Sequence, residues 1–132
     1  MNITADTNLI LRMLLNDDPR QSPAAVRAIS DATTVAVTLP TLCEIAWVMR
    51  SRFRLSRSDV ARFMKTVVAT DKIVLDRPAV EAGLALLEAG GDFADGVIAH
   101  EGRRLGGDTF VTFDRDAGAR VERAGYAVNV LA

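Results

Sequence analysis

Cysteine and histidine are nearly absent from this chain, whose 132 residues include one of each. A single cysteine excludes an intramolecular disulfide. Cys43 lies in the apolar stretch TLCEIAWVM, a setting that favours a buried small side chain over a nucleophile. His100 has no partners arranged as a triad. The sequence therefore contains neither a disulfide framework nor a nucleophile–histidine pair.

Long hydrophobic runs are missing too. No apolar run reaches the roughly 18 residues that span a bilayer, and no basic segment followed by a hydrophobic one indicates a signal peptide. We therefore expect a cytoplasmic location. A composition of 49% hydrophobic, 25% charged and 5% aromatic residues is typical of a soluble globular protein and argues against disorder. The length predicts one domain over residues 1–132.

Net charge is close to zero, at −1, and by itself indicates no polyanionic partner. The arginines are unevenly distributed, because the stretch RSRFRLSR carries Arg50, Arg52, Arg54 and Arg57 where a helix is predicted to end. These cations fit a solvated helix C-terminus, where they complement the dipole. They fit a phosphate-contacting patch equally well, and both interpretations stay open at this point.

Short β-rich runs alternate with longer helical patterns, and this alternation predicts an α/β fold with a parallel sheet. The strands are mostly apolar on both faces, as expected of strands covered on both sides. We predict strands over residues 2–6, 34–38, 72–76, 109–114 and 127–131. We predict helices over residues 7–15, 23–31, 40–52, 58–69, 78–89, 93–105 and 116–124, with glycines at 90–91, 106–107 and 125 ending the last three.

Four acidic residues have no simple structural explanation. Asp6 and Asp114 each end a predicted strand, and ligands of open α/β sheets bind beyond the carboxyl ends of strands. Glu44 lies in a helix that is apolar on nearly every side, so we expect its charge to be desolvated and to require a partner. Asp95 lies in the first turn of another helix. Thr7 is the better N-cap candidate beside Asp6, which leaves Asp6 free for chemistry.

The remaining acids have local explanations. Asp76 precedes a proline and is predicted to cap a helix. Asp92 is predicted to cap the helix that carries Asp95, and Asp17 and Asp18 to form a solvated turn before a proline. Asp116 either begins a helix or supports the site.

The stretches ADTNLIL, TLCEIAWVM, DFADGVIAH and VTFDRDA, in this order and at this spacing, resemble the PIN-domain family along essentially the whole chain. The closest resemblance is to the VapC-type toxin ribonucleases of bacterial toxin–antitoxin pairs. It implies a three-layer α/β/α fold whose central five-stranded parallel sheet has the order 3-2-1-4-5, with the strands of Asp6 and Asp114 side by side.

The same resemblance implies the site and the partners. It makes Asp6, Glu44, Asp95 and Asp114 the pocket that holds Mg²⁺ or Mn²⁺, with Asn8, Thr112 and Asp116 in supporting positions and Asp116 as a candidate fifth ligand. It makes RNA the substrate, cut endonucleolytically, and predicts a cognate antitoxin and a homodimer. One departure from the family is Gly96, which we expect to loosen the helix after Asp95.

The residue types suit this chemistry. Converging carboxylates need a hard cation, and ligands restricted to oxygen favour Mg²⁺ or Mn²⁺ over Zn²⁺. Bound metal supplies the deprotonated water and the charge stabilisation that phosphodiester hydrolysis requires.

Two other classes of protein are considered. A receiver-like or phosphatase-like phosphoryl-transfer domain would use an acid as covalent nucleophile, but Asn8 rather than an acid stands two residues after Asp6, and the last strand ends without a lysine. A PIN-like scaffold that binds RNA without cleaving it is the other.

An apolar stripe on the third predicted helix bears on assembly. Leu42, Ile45, Ala46 and Met49 lie on one helical face, and Trp47 and Val48 leave little polar surface beside it. Core burial accounts for most of the stripe, and we expect the rest of this helix to pack against a second chain.

Overall fold

A computed structural model describes residues 1–132. Seven helices and five strands alternate along the chain, and every predicted element is present within a few residues of its expected position. The strands are β1 (Asn2–Thr4), β2 (Thr34–Ala36), β3 (Ile73–Val74), β4 (Thr109–Thr112) and β5 (Ala127–Val130). The helices are α1 (Thr7–Leu15), α2 (Gln21–Asp31), α3 (Leu39–Ser51), α4 (Arg57–Ala69), α5 (Arg77–Glu88), α6 (Phe93–Arg104) and α7 (Arg115–Arg123).

The strands form two parallel sheets rather than the single five-stranded sheet that the sequence predicts. One sheet has the order β1-β2-β3 and the other pairs β4 with β5. The predicted neighbours within each sheet are therefore correct, whereas the predicted pairing of β1 with β4 is not formed. β1 is three residues long, and the backbone bonds around it go to the β2 side, including Ala5 N–H to the Ala36 carbonyl at 3.0 Å.

Coverage of the strands differs between the two sheets. Val35 of β2 is fully buried, as expected of a strand covered on both faces. Val111 of β4 is 54% exposed, and most of β5 is also exposed. The prediction that all strands are covered on both faces is wrong for the second sheet and also for the two edge strands of the first. Val74 of β3 is 57% exposed, and Asn2 and Thr4 of β1 are exposed.

Three glycines end helices as predicted. Gly90, Gly106 and Gly125 follow α5, α6 and α7 with φ values of 95°, 98° and 101°. A side chain is strained in this left-handed conformation, which glycine adopts without cost.

The main core surrounds α3. Leu42, Ile45 and Met49 are fully inaccessible to solvent, and Ala46 and Val48 are also buried. Core burial therefore accounts for the whole apolar stripe, and Trp47 is the large apolar side chain of α3 left exposed.

α5 and α6 approach each other closely through glycines. A Cβ at Gly96 would lie 2.3 Å from the Ala82 carbonyl oxygen and 2.8 Å from the Gly83 Cα, and a Cβ at Gly83 would lie 2.6 Å from the Phe93 ring. The expectation that Gly96 loosens its helix is wrong, because its missing side chain is what lets the two helix backbones touch. This packing fixes the start of α6, where Asp95 lies.

None of the seven helices combines the length and the apolar character that crossing a membrane requires.

Candidate active site

Asp6 combines a structural role with a position at the end of a strand. It follows β1 and is the N-cap of α1, where its Oδ1 accepts a hydrogen bond from the Leu9 N–H at 2.9 Å. Thr7, the predicted cap, is the first residue of the helix instead. The extended backbone of Asp6 (φ −85°, ψ 174°) is the conformation that a cap requires. The Asp6 side chain is exposed, and its Oδ2 makes no hydrogen bond within the chain.

Asp114 is held in the same way at the end of β4. Its Oδ1 accepts hydrogen bonds from the backbone N–H groups of Asp116 (2.9 Å) and Ala117 (3.0 Å), which makes it the N-cap of α7. The Thr112 hydroxyl accepts a hydrogen bond from the Asp114 backbone N–H at 3.0 Å. Thr112, through its hydroxyl, and Asp116, through its backbone N–H, therefore both contact Asp114.

Glu44 lies on α3 and is exposed. The expectation that its charge is desolvated is wrong, because the buried residues of α3 face the core and Glu44 projects from the other side of the helix. No hydrogen bond or ion pair within the chain involves its carboxylate, which leaves both oxygens available.

Asp6 and Glu44 share one open cleft of ≈ 430 Å³. Asn8 lies beside Asp6 in this cleft, and Arg52, the C-cap residue of α3, contributes a cation to the cleft. The cleft is lined by Asp6, Thr7, Asn8, Leu11, Thr41, Glu44, Trp47, Val48 and Arg52. Two residues that are far apart in the sequence are thus brought to a common surface by the packing of α1 against α3.

Asp95 is the acid whose electrostatic environment is most perturbed. Burial raises the pKa of Asp95 above its ordinary value, and the negative charges of Asp92 and Asp114 raise it further. Asp92 occupies the N-cap position of α6 as predicted, but its side chain makes no capping hydrogen bond. Its carboxylate is therefore free to add to the negative potential around Asp95.

The four predicted acids fall into two groups, Asp6 with Glu44 and Asp95 with Asp114. No three acidic, histidine or cysteine side chains are close enough together to hold a metal ion as they stand. β1 and β4 are not paired, so strand pairing does not hold Asp6 beside Asp114. The donors available are nonetheless all carboxylate oxygens, which suit a hard divalent cation. A cation would also relieve the repulsion that acts on Asp95.

The arginines of the RSRFRLSR stretch have different surroundings. Arg52 lines the Asp6–Glu44 cleft. The Arg50 guanidinium donates to the Leu55 carbonyl at 2.9 Å, and Arg57 donates to the Gly91 carbonyl at 3.2 Å. Arg54 is exposed, with a φ of 53°. It lines neither the cleft nor the smaller cavity between α3 and the start of α6. The four arginines therefore do not form one continuous phosphate-contacting patch, because only Arg52 lines the cleft and Arg50 and Arg57 donate to backbone carbonyls.

Five residues that line the cleft are not among the site residues predicted from the sequence, namely Thr7, Leu11, Thr41, Trp47 and Val48. Thr41 and Trp47 lie one helical turn before and after Glu44, so the i±3 spacing on α3 was the signal that could have located them. On sequence grounds Trp47 lies beside the apolar stripe and has no predicted role in the site.

Strand-end acids on a parallel α/β scaffold, with further acids projecting from adjacent helices, define a class of domains that act on phosphate esters. Comparison with known families makes this specific. The profile of the family described as PIN domain matches residues 3–123, which is most of the chain. The chain belongs to the PIN-domain family, whose members are typically nucleases. No curated protein matches it at a significant level.

Proposed function

We propose that this PIN domain is a metal-dependent endoribonuclease and the toxin of a VapC-type toxin–antitoxin pair. The observation that carries the proposal is the cleft shared by Asp6 and Glu44, whose free carboxylate oxygens face solvent in a chain of this family. Asp95 and Asp114 add the second pair of acids. The substrate is RNA, and the reaction is hydrolysis of a phosphodiester bond.

Mg²⁺ or Mn²⁺ fits the donor set, with Asp6, Glu44, Asp95 and Asp114 as the residues that would hold it. When bound, such an ion lowers the pKa of water and stabilises charge on phosphorus. The residues of the chain bind and orient the ion and the RNA. The helix caps fix the Oδ1 atoms of Asp6 and Asp114 and leave their second oxygens to face the ligand. The Thr112 hydroxyl holds the backbone N–H of Asp114, the Asp116 backbone N–H holds the Asp114 carboxylate, and Asn8 supplies an amide beside Asp6.

The proposed partners follow from the toxin assignment. A cognate antitoxin would bind and inhibit the nuclease, and the toxin would be a homodimer. The similarity of the four acidic stretches to VapC-type toxins supports this proposal, and RNA cleavage would take place in the cytoplasm.

The second candidate is a PIN-like scaffold that binds RNA without cleaving it. One observation favours it, since the four acids form two groups rather than one. The two functions differ in a simple measurement, which is whether divalent cations convert bound RNA into shorter products.

The test incubates RNA with the protein and Mg²⁺ or Mn²⁺, with and without EDTA, and compares the parent with Asp6→Asn. Asparagine caps a helix about as well as aspartate, so the variant should fold, lose the charge that the cation needs and lose cleavage. Metal should raise the melting temperature of the parent and not that of the variant. Asp71→Asn, at an exposed turn, is the matched control and should cleave normally.

Full activity of Asp6→Asn would remove Asp6 from the chemistry and contradict the nuclease mechanism. Binding of RNA by the parent without metal-dependent cleavage would favour the scaffold.

A further inference from the structure

Trp47 is a large aromatic side chain that the fold leaves in solvent. It is 65% exposed although it lies at the middle of α3, the helix at the centre of the core. Its neighbours Ala46 and Val48 are 5% and 7% exposed, so the backbone beneath the indole is fixed by packing. The indole is therefore presented on a rigid support.

The position of Trp47 connects two concave surfaces. It lines the ≈ 430 Å³ cleft that contains Asp6, Glu44 and Arg52. It also lines a smaller cavity of ≈ 70 Å³ between α3 and the start of α6, together with Arg50 and Asp92. An RNA strand whose phosphate is at the acids would thus pass the indole on its way across α3.

The surroundings of Trp47 favour a nucleobase over a second protein chain as its occupant. The apolar residues of α3 that could extend a protein interface, Leu42, Ile45 and Met49, are all buried inside the chain. The exposed neighbours of Trp47 in the two concave surfaces are all polar, and three of them are the carboxylates of Asp6, Glu44 and Asp92. Aspartate and glutamate are depleted at protein interfaces. An aromatic ring flanked by arginines is instead the arrangement that binds single-stranded nucleic acid, where bases stack and cations meet phosphates.

We propose that Trp47 is a specificity-determining residue that stacks on an unpaired nucleobase next to the phosphate held at the acids. This proposal rests on the proposed function, which makes RNA the substrate. Bases within a duplex are already stacked on their neighbours and cannot reach the indole. Trp47 would therefore select RNA in which a base at the cleavage position is unpaired.

Trp47 is the only tryptophan in the chain, so intrinsic tryptophan fluorescence reports on this one side chain. The first experiment adds a short single-stranded oligoribonucleotide to the parent protein in EDTA, which prevents cleavage. A matched oligomer with abasic sites carries the same phosphates without bases. We expect the base-containing oligomer to quench the fluorescence and the abasic oligomer to leave it nearly unchanged.

The second experiment uses variants. Trp47→Ala should bind the oligoribonucleotide about ten-fold or more weakly, since stacking on one aromatic side chain contributes that much to binding, and Trp47→Phe should retain most of the affinity. With metal, Trp47→Ala should raise KM with a smaller effect on kcat. Leu105→Ala is the matched control, because Leu105 is 84% exposed and lines neither concave surface, and it should behave as the parent.

Equal quenching by the two oligomers, or unchanged affinity in Trp47→Ala, would overturn the proposal. A fluorescence change that depends on protein concentration without RNA would overturn it in favour of a second chain as the occupant. Failure of the proposed function is a separate result. A parent that shows base-dependent quenching but no metal-dependent cleavage loses the nuclease assignment and keeps the stacking site, and a parent that cleaves RNA without base-dependent quenching loses only the stacking site.

Discussion

Aspartates at the ends of strands and the starts of helices can cap a helix, bind a ligand, or do both. The hydrogen bonds of each side chain show which oxygens a cap uses. Asp6 and Asp114 use one oxygen for a helix cap and keep the other free. Asp76 accepts from the Ala79 N–H at 3.2 Å and caps α5, as its position before a proline predicts. A capping role therefore does not exclude a ligand role, because a carboxylate has two oxygens and a cap occupies one of them.

Asp18 provides a pH-dependent stability test at the residue scale. Its Oδ1 accepts from the N–H groups of Arg20 (2.9 Å) and Gln21 (2.7 Å). The Gln21 and Arg20 N–H groups lower the pKa of Asp18 below its ordinary value of 3.8. A carboxyl whose folded-state pKa is lowered stabilises the fold above the unfolded-state pKa, and this contribution is lost as the pH falls through the folded-state pKa.

Asp18→Ala should therefore be less stable than the parent at neutral pH, and the difference should shrink as the pH falls below 3.8. Urea unfolding midpoints at several pH values measure it. Asp71→Ala, at an exposed turn residue, should show no such trend. A difference that is independent of pH would show that the charged form of Asp18 contributes nothing.

At the scale of elements, stability depends mainly on how the helices pack. The contact between α5 and α6 gives the sharpest prediction about it. In Gly96→Ala the new methyl group would meet the Ala82 carbonyl at 2.3 Å, so the helices must separate. We expect a loss of about 1–3 kcal/mol of unfolding free energy, as for other overpacked sites. RNA cleavage should also fall, because the start of α6 carries Asp95.

Gly102→Ala is the matched control on the same helix. Nothing lies within 4 Å of a Cβ at Gly102, so alanine should be neutral or stabilise by about 0.5–1 kcal/mol through its helix propensity. Equal stability of the two variants, measured by chemical denaturation, would show that the close approach of α5 and α6 is not required.

A second prediction at this scale concerns Arg50 and Arg52 at the end of α3, whose replacement should affect different properties. Arg52→Ala should weaken RNA binding and reduce the slope of log affinity against log salt by about one, since Arg52 lines the cleft. Arg50→Ala should mainly lower stability, because it removes the hydrogen bond to the Leu55 carbonyl. Arg27→Ala, on an exposed face of α2, is the control for loss of charge. An unchanged salt slope in Arg52→Ala would assign the arginines to a solvated helix end.

At the scale of the whole molecule, the notable feature is that several large apolar side chains are exposed to solvent. Apart from Trp47, five large side chains are more than half exposed within the body of the chain, namely Val74, Ile98, Leu105, Val111 and Phe113. Exposed apolar side chains of this size are typical of proteins that bind a partner. Ile98 and Val111 line one shallow cavity between α6 and β4, together with Phe110 and Tyr126.

We therefore expect the isolated protein to form a homodimer. Sedimentation at micromolar concentration should give the mass of two chains, and RNA cleavage should persist in that state. A monomer at every concentration would contradict the homodimer and leave this surface for the proposed antitoxin alone.

Sequence by itself determined the elements of this protein. Short runs rich in β-branched residues, helical hydrophobic patterns, caps and terminal glycines act over a few residues, so all five strands and seven helices could be predicted. The strand neighbours within each sheet could be predicted through the family resemblance. The four candidate acids were also identified from sequence, and their roles remain predictions.

Tertiary structure alone decided what depends on distant parts of the chain. The separation of the two sheets, the exposure of Glu44, the contact at Gly96 and the presentation of Trp47 all depend on which elements pack together. Local sequence does not specify that packing, because burial and strand pairing are properties of surfaces that several elements form jointly.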